Sequence, residues 1–167
     1  SIIRKDGEVL VPGGNDSFQA EDEVYILTLT GSVDIHTILN RQERVNRNIV
    51  IAGGGKVGMR LAELLESSTA LKVKVKLIEK DPERCSMIAA NLDRTIVLNG
   101  DVSNYNFLKG EEINKTDVFV AVTGDDEINL LSTLLAKKLG AKHTISEVVR
   151  PDYNIILNSI GINKVVS

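Results

Sequence analysis

The 167-residue sequence has no tryptophan, one cysteine, three prolines and only 4% aromatic residues. A lone Cys85 cannot close an internal disulfide, which fits a reducing compartment. So few aromatics argue against a stacking platform for single-stranded nucleic acid. The charges nearly cancel, with 20 Lys and Arg against 23 Asp and Glu and a net charge of −3. Phosphate backbones demand a surplus of Lys and Arg, so nucleic acid is not the expected partner. Apolar runs are only a few residues long, so no direct membrane insertion is expected. No basic start followed by a long apolar stretch marks a secretory signal.

What is present falls into two parts. Residues 1–47 hold 5 Lys/Arg and 8 Asp/Glu, whereas residues 48–167 hold 15 of each. The first part has short β-like runs, Glu8–Val11 and Val24–Leu29, separated by Pro12-Gly13-Gly14-Asn15-Asp16. Pro, Gly, Asn and Asp are turn residues for distinct backbone reasons, so this part reads as strands of a small β unit. The chain starts at Ser1 rather than Met, which suggests that it begins inside a domain. Residues 35–47 read as a helix or linker.

From Asn48 the pattern alternates. Apolar runs at Ile49–Ala52, Val73–Leu77, Thr95–Leu98, Asp117–Val122, Thr144–Val149 and Lys164–Val166 read as strands. Helical spacing covers Lys56–Ser67, Asp81–Asn91, Asp125–Leu139 and Pro151–Ile160. Asp81-Pro82 supplies an N-cap and a first-turn proline, and Gly140 a helix stop. Strands alternating with helices give an α/β fold with a parallel sheet. Right-handed crossovers favour the Rossmann-like doubly wound order 3-2-1-4-5-6. Lys72, Lys74 and Lys76 fit this poorly, because a central parallel strand is apolar on both faces. The expectation is that the strand starts near Val75.

Gly53-Gly54-Gly55-Lys56-Val57-Gly58 matches G-x-G-x-x-G between a strand and a helix, the context in which that pattern binds a dinucleotide. Gly53 makes the turn, Gly55 lets a pyrophosphate approach and Gly58 lets helix pack on strand. The helix N-terminus offers N–H groups to phosphate. A glycine turn without ligand is the alternative. Glu79 ends the second strand, 21 residues after Gly58, where a carboxylate accepts ribose hydroxyls and repels a 2′-phosphate. Lys80 beside it softens that repulsion; a solvated strand-end charge is the bland reading. Asp101 follows the third strand, placed for an adenine amino group or as the cap of a helix from Ser103. Thr123-Gly124 follows the fourth strand in the same crevice. Asp125-Asp126-Glu127 fits a helix dipole better than a metal cage. Cys85 reads as a buried small hydrophobe, and His36 and His143 lack neighbours at metal spacing. No catalytic constellation is found.

Residues 48–167 resemble the regulator-of-potassium-conductance family (RCK, or KTN), in its branch of Trk-type potassium uptake regulators. The likeness is carried by Asn48–Gly58, by Leu98-Asn99-Gly100-Asp101, by Phe119–Leu130 and by the closing Leu157–Ser167. Residues 1–30 are similar to the latter part of the family's small β-rich C-terminal-type domain, through Asp6–Gly14 and Ala20–Tyr25. The implied layout is a partial C-terminal-type unit at 1–34, a linker at 35–47 and a dinucleotide-binding domain at 48–167. The resemblance implies NAD or NADH as ligand, with ATP or ADP as alternatives. It assigns phosphate contact to Gly53, Gly55, Lys56, Val57 and Gly58, ribose contact to Glu79, and adenine contact to Asp101 and Val102. It places Thr123 toward the pyrophosphate or nicotinamide, and Arg84 toward the adenosine. The implied role is a non-enzymatic cytoplasmic subunit that gates a membrane potassium transporter from the inner face of the membrane. A fragment of an NAD-dependent oxidoreductase is the competing reading. Leu130, Leu131, Leu134, Leu135 and Leu139, with Ile155, Ile156 and Ile160, exceed one apolar stripe per helix and suggest a homodimer or larger ring.

Overall fold

The computed structural model describes residues 48–68 and 72–150, together with 2–3, 9–17, 19, 23–24, 153 and 165–166. The chain divides into two compact units, Ser1–Arg44 and Val45–Ser167. In the first, β1 (Ile2–Ile3) pairs antiparallel with β2 (Val9–Leu10) and β3 (Glu23–Val24). The expected turn at Gly13–Asp16 closes on itself, with Gly13 N–H donating to the Asp16 carboxylate over 2.6 Å. The expected linker at 35–47 lies outside the described residues.

The second unit is built on a parallel sheet. Its strands are β4 (Asn48–Ala52), β5 (Lys74–Glu79), β6 (Ile96–Asn99), β7 (Val118–Ala121), β8 (His143–Glu147) and β9 (Val165–Val166). They lie in the order β6-β5-β4-β7-β8-β9, the doubly wound order that right-handed crossovers require. Four α-helices are described in this unit: α1 (Lys56–Ser67), α2 (Pro82–Asn91), α3 (Tyr105–Gly110) and α4 (Asp126–Lys138). The expected Pro151–Ile160 helix lies outside the described residues except for Tyr153.

Register alternation sorts the strands onto two layers. Ile51, Val75, Leu77 and Val120 pack under Ala62 of α1 and Ile88 of α2. Val50, Ile78, Phe119 and Ala121 pack under Leu108 of α3 and Ala136 of α4. Ile51, Leu77 and Phe119 are fully enclosed. Burial of each such side chain contributes about 1.5–3 kcal/mol of transfer free energy.

Several expected boundaries move, for physical reasons. β5 starts at Lys74 rather than Val75, and Lys76 sits within the strand. Lys76 is tolerated because its Nζ lies 2.9 Å from the Glu111 carboxylate and 3.2 Å from the Glu111 carbonyl. β8 ends at Glu147, short of Val149. Beyond it the Val149 and Arg150 N–H groups donate to the Asp126 carboxylate instead of a neighbouring strand. No helix among the described residues is long and apolar enough to cross a membrane.

Candidate functional site

The carboxyl ends of β4, β5, β6 and β7 release their chains into loops that stay tied to neighbouring strands. Gly53 N–H donates to the Ile78 carbonyl, Gly100 N–H to the Glu79 carbonyl and Val122 N–H to the Ala52 carbonyl, each over 2.9 Å. The sheet thus fixes where the loops stand, and a cleft of about 220 Å³ opens between them. Ligands of open α/β sheets bind at this position, where the strand order reverses.

Gly53, Gly55, Glu79, Lys80, Arg84, Asp101, Val102 and Thr123 line the cleft, so eight of the twelve residues read from the sequence converge there. Gly53 has φ 110°, and a Cβ on it would lie 2.7 Å from the Thr123 Cα. The loop after β4 therefore presses against the loop after β7. Gly55 has open space where a Cβ would stand. As the N-cap of α1 it carries no capping side chain. The first-turn amides of α1 thus lack a side-chain acceptor, the condition for anion binding at a helix start.

The other four residues stand elsewhere. Gly58 is buried, and a Cβ there would fall 1.9 Å from the Gly53 carbonyl oxygen, so it sets the approach of α1 to its own loop. Val57 is 51% exposed and does not line the cleft. Lys56 lines an adjoining groove of about 310 Å³ between α1 and α2, which shares Gly55 and Arg84 with the cleft. Gly124, at φ 82°, shapes the turn into α4 without lining the cleft.

Glu79 is held at both oxygens. One accepts the Gly54 N–H and the other the Asp81 N–H, each over 2.8 Å. A carboxylate has about four lone-pair directions, so two remain for further donors. The Asn99 side-chain amide fixes the same turn by donating to the Glu79 and Lys80 carbonyls, at 3.1 and 3.0 Å. Past the end of the neighbouring strand β6, the Asp101 carboxylate accepts the Ser103 hydroxyl at 2.6 Å and the Ser103 N–H at 2.9 Å. Its second oxygen lies 2.9 Å from Lys80 Nζ. The Ser103 hydroxyl, followed by Lys80, pulls the Asp101 pKa down to about 2. Asp101 does not cap the following helix: α3 starts at Tyr105, and Asn104 accepts its first amides. Cys85 is buried on α2, and burial together with the nearby Glu79 charge pushes its thiol up, the opposite of a nucleophile.

The acidic run at the start of α4 divides among separate partners. Asp125 caps the helix by accepting the Ile128 N–H. Asp126 takes the amides after β8, and Glu127 accepts the Tyr153 hydroxyl at 2.7 Å and Arg150 at 3.2 Å. Among the described residues no cluster of metal-ligating side chains exists.

Sequence reasoning missed Asn129, the buried amide that holds Thr123. It is 1% exposed, and its Oδ1 accepts both the Thr123 N–H and the Thr123 hydroxyl at 2.8 Å. The available signal was a polar residue placed where α4 should turn an apolar face to the sheet. Ile78, Gly100, Asp125 and Ile128 also line the cleft.

Comparison with known proteins places this geometry. Residues 49–167 match the model of the TrkA-N domain. The Trk system potassium uptake protein TrkA of Halomonas elongata is 39% identical over 154 residues, which is 92% of this chain and 33% of that protein. The chain thus spans about a third of the length of that curated relative. Among solved structures, the TrkA-N domain of the inner membrane protein ybaL from Escherichia coli superposes with a TM-score of 0.61 at 17% identity, covering 75% of this chain and 89% of that one. The GsuK channel bound to NAD superposes with a TM-score of 0.62 at 19% identity, covering 79% of this chain and 24% of that one. At those identities the structures speak for the Rossmann-like fold, and the sequence match for the lineage: the chain belongs to the TrkA-N domain family.

Proposed function

We propose that residues 48–167 bind NAD(H) in the cleft and that the chain serves as a cytoplasmic, non-enzymatic regulatory part of a potassium uptake system. One observation carries the ligand reading. The Glu79 carboxylate is pinned to the glycine loop by the Gly54 N–H and borders the cleft into which the uncapped start of α1 opens. That pairs a ribose acceptor with a phosphate cradle. In this reading Gly53 and Gly55 admit the pyrophosphate, Glu79 takes the ribose, Asp101 and Val102 meet the adenine, and Thr123 lies toward the nicotinamide half. The NAD-bound channel among the structural neighbours supports the choice of dinucleotide.

ATP or ADP is the second reading. Lys56 and Arg84 border the adjoining groove and form no ion pair among the described residues, which leaves two cations for additional phosphates.

The names of the curated relatives support potassium uptake as the process, with a membrane potassium transporter as the partner to be gated. Assembly as a homodimer or larger ring belongs to the same proposal. Within this chain Leu135 and Leu139 pack onto the core and Leu130 and Leu134 onto Val148 and Tyr153. Leu131, 42% exposed, is left for a second copy.

Isothermal titration with NADH, NADPH, ATP and ADP tests the ligand reading. NADH should bind more tightly than NADPH, and Glu79→Ala should weaken NADH and narrow the gap. Equal affinity of the unaltered chain for the two would overturn the role of Glu79, and binding of none of the four would overturn the proposal.

A further inference from the structure

We propose that Asn129 is a positioning residue that fixes the hydrogen-bonding polarity of the cleft, making Thr123 an acceptor toward the ligand. The proposal rests on the reading of the cleft as a nucleotide site.

The orientation of the Asn129 amide is dictated by its neighbours. Its Oδ1 receives the Thr123 N–H, a group that can only donate, and its Nδ2 donates over 3.0 Å to the Glu147 carbonyl, a group that can only accept. A flipped amide would leave both contacts facing like groups inside a site 1% exposed, so it is excluded.

With the amide fixed, the hydroxyl of Thr123 has no choice. A threonine hydroxyl owns one proton and two lone pairs. Asn129 Oδ1 lies 2.8 Å from Thr123 Oγ1, whereas the competing acceptor, the Asp125 carbonyl, lies at 3.3 Å. The shorter contact takes the proton. The Asp125 N–H, also at 3.3 Å, takes one lone pair weakly. The remaining lone pair is left for the cleft that Thr123 lines.

The ligand group that meets this wall must therefore bring its own proton. A ribose hydroxyl or a carboxamide NH₂ qualifies. A phosphate oxygen does not, because it would face a lone pair. The two walls of the cleft then differ: the glycine loop presents N–H donors to anions, and the Thr123 wall presents an acceptor to neutral donors. Asn129 sets this division without lining the cleft itself.

A double-mutant cycle on NADH affinity, with Thr123→Val and Asn129→Leu, tests the assignment, accompanied by amide hydrogen exchange at Thr123 without ligand. Each single substitution should weaken NADH about tenfold, and the pair by little more than either alone, because both remove one interaction. In the absence of ligand, Asn129→Leu should lose the protection of the Thr123 amide. Asn129→Asp keeps acceptors for Thr123 but turns an oxygen onto the Glu147 carbonyl, so it should keep the Thr123 protection that Asn129→Leu forfeits while lowering stability. Independent, multiplicative losses would overturn the proposal, as would unchanged Thr123 protection in Asn129→Leu. Should Asn129→Leu fail to fold, the Asp variant decides: loss of Thr123 amide protection in it overturns the proposal, and retained protection supports it. Failure of the unaltered chain to bind NADH would defeat the NAD(H) reading, while the exchange measurements would still support or overturn the role of Asn129.

Discussion

Two neighbouring loops line the cleft and reach their shapes by opposite means. The loop after β4 is shaped by missing side chains: Gly53 touches the Thr123 backbone, Gly58 sits under the Gly53 carbonyl, and Gly55 faces open space. The loop after β7 is shaped by side chains that bond inward. Asn129 grips Thr123, Asp125 caps α4, and Asp126 holds the amides beyond β8. The first loop leaves backbone donors exposed for an anion, while the second consumes its own donors. A cleft for a molecule with both phosphates and sugars requires both kinds of wall.

Breaking the first loop should have the largest effect. Gly58→Ala puts a methyl 1.9 Å from a backbone oxygen, where no side chain can yield. The loss should reach about 3 kcal/mol, the upper end for overpacking, and lower the melting temperature by roughly 10 °C. Calorimetry checks this, and a change below about 1 °C would mean that α1 can retreat freely from its loop.

Gly55→Ala separates shape from ligand access. Its Cβ meets nothing within 4 Å, so stability should hold. NADH affinity should fall at least about tenfold, because the methyl occupies the approach of the pyrophosphate. Titration calorimetry beside a thermal melt would show both; unchanged affinity would move the phosphates away from Gly55.

Removing one side chain of the second loop should cost less. Asp126→Ala strips the acceptor from the Val149 and Arg150 amides. These amides are exposed enough for water to replace the carboxylate, so the expected cost is about 1 kcal/mol by chemical denaturation. Exchange at those two amides should accelerate while the Thr123 amide stays protected, since Asn129 holds it separately.

The smallest effect belongs to Asp101 and appears only in acid. Its folded pKa of about 2 lies below the ordinary 3.8, so the ionised form is favoured by folding. The stabilisation is complete above about pH 4 and disappears as the pH falls through about 2. Solvent around the carboxylate and Lys80 screens the interaction, which limits it to about 1 kcal/mol or less. Asp101→Asn should flatten the stability profile between pH 4 and 2 and change little at pH 7. An identical acid limb in the variant would remove Asp101 from the account.

The contrast between the loops also explains what could be read in advance. G-x-G-x-x-G is legible because only glycine lacks a Cβ, so the sequence itself records where backbones approach. The carboxylate at Glu79 is legible from its spacing, and the Asp81-Pro82 helix start from local capping chemistry. Asn129 was not legible, since an amide on a helix declares nothing about which strand end it will meet. Lys76 misled for a related reason: its partner Glu111 lies 35 residues away, beyond any local pattern.

The sequence by itself determined the order of strands and helices and the position of the glycine turn. These follow from periodicity and from backbone sterics, which act within a few residues. Tertiary structure alone decided which lone pairs and amides face the cleft. Lys80 reaches Asp101 and Asn129 joins Thr123 to Glu147 only because the parallel sheet brings the carboxyl ends of its strands to one edge. A hydrogen bond is settled over a few ångströms of space, and folding sets that distance whatever the separation along the chain.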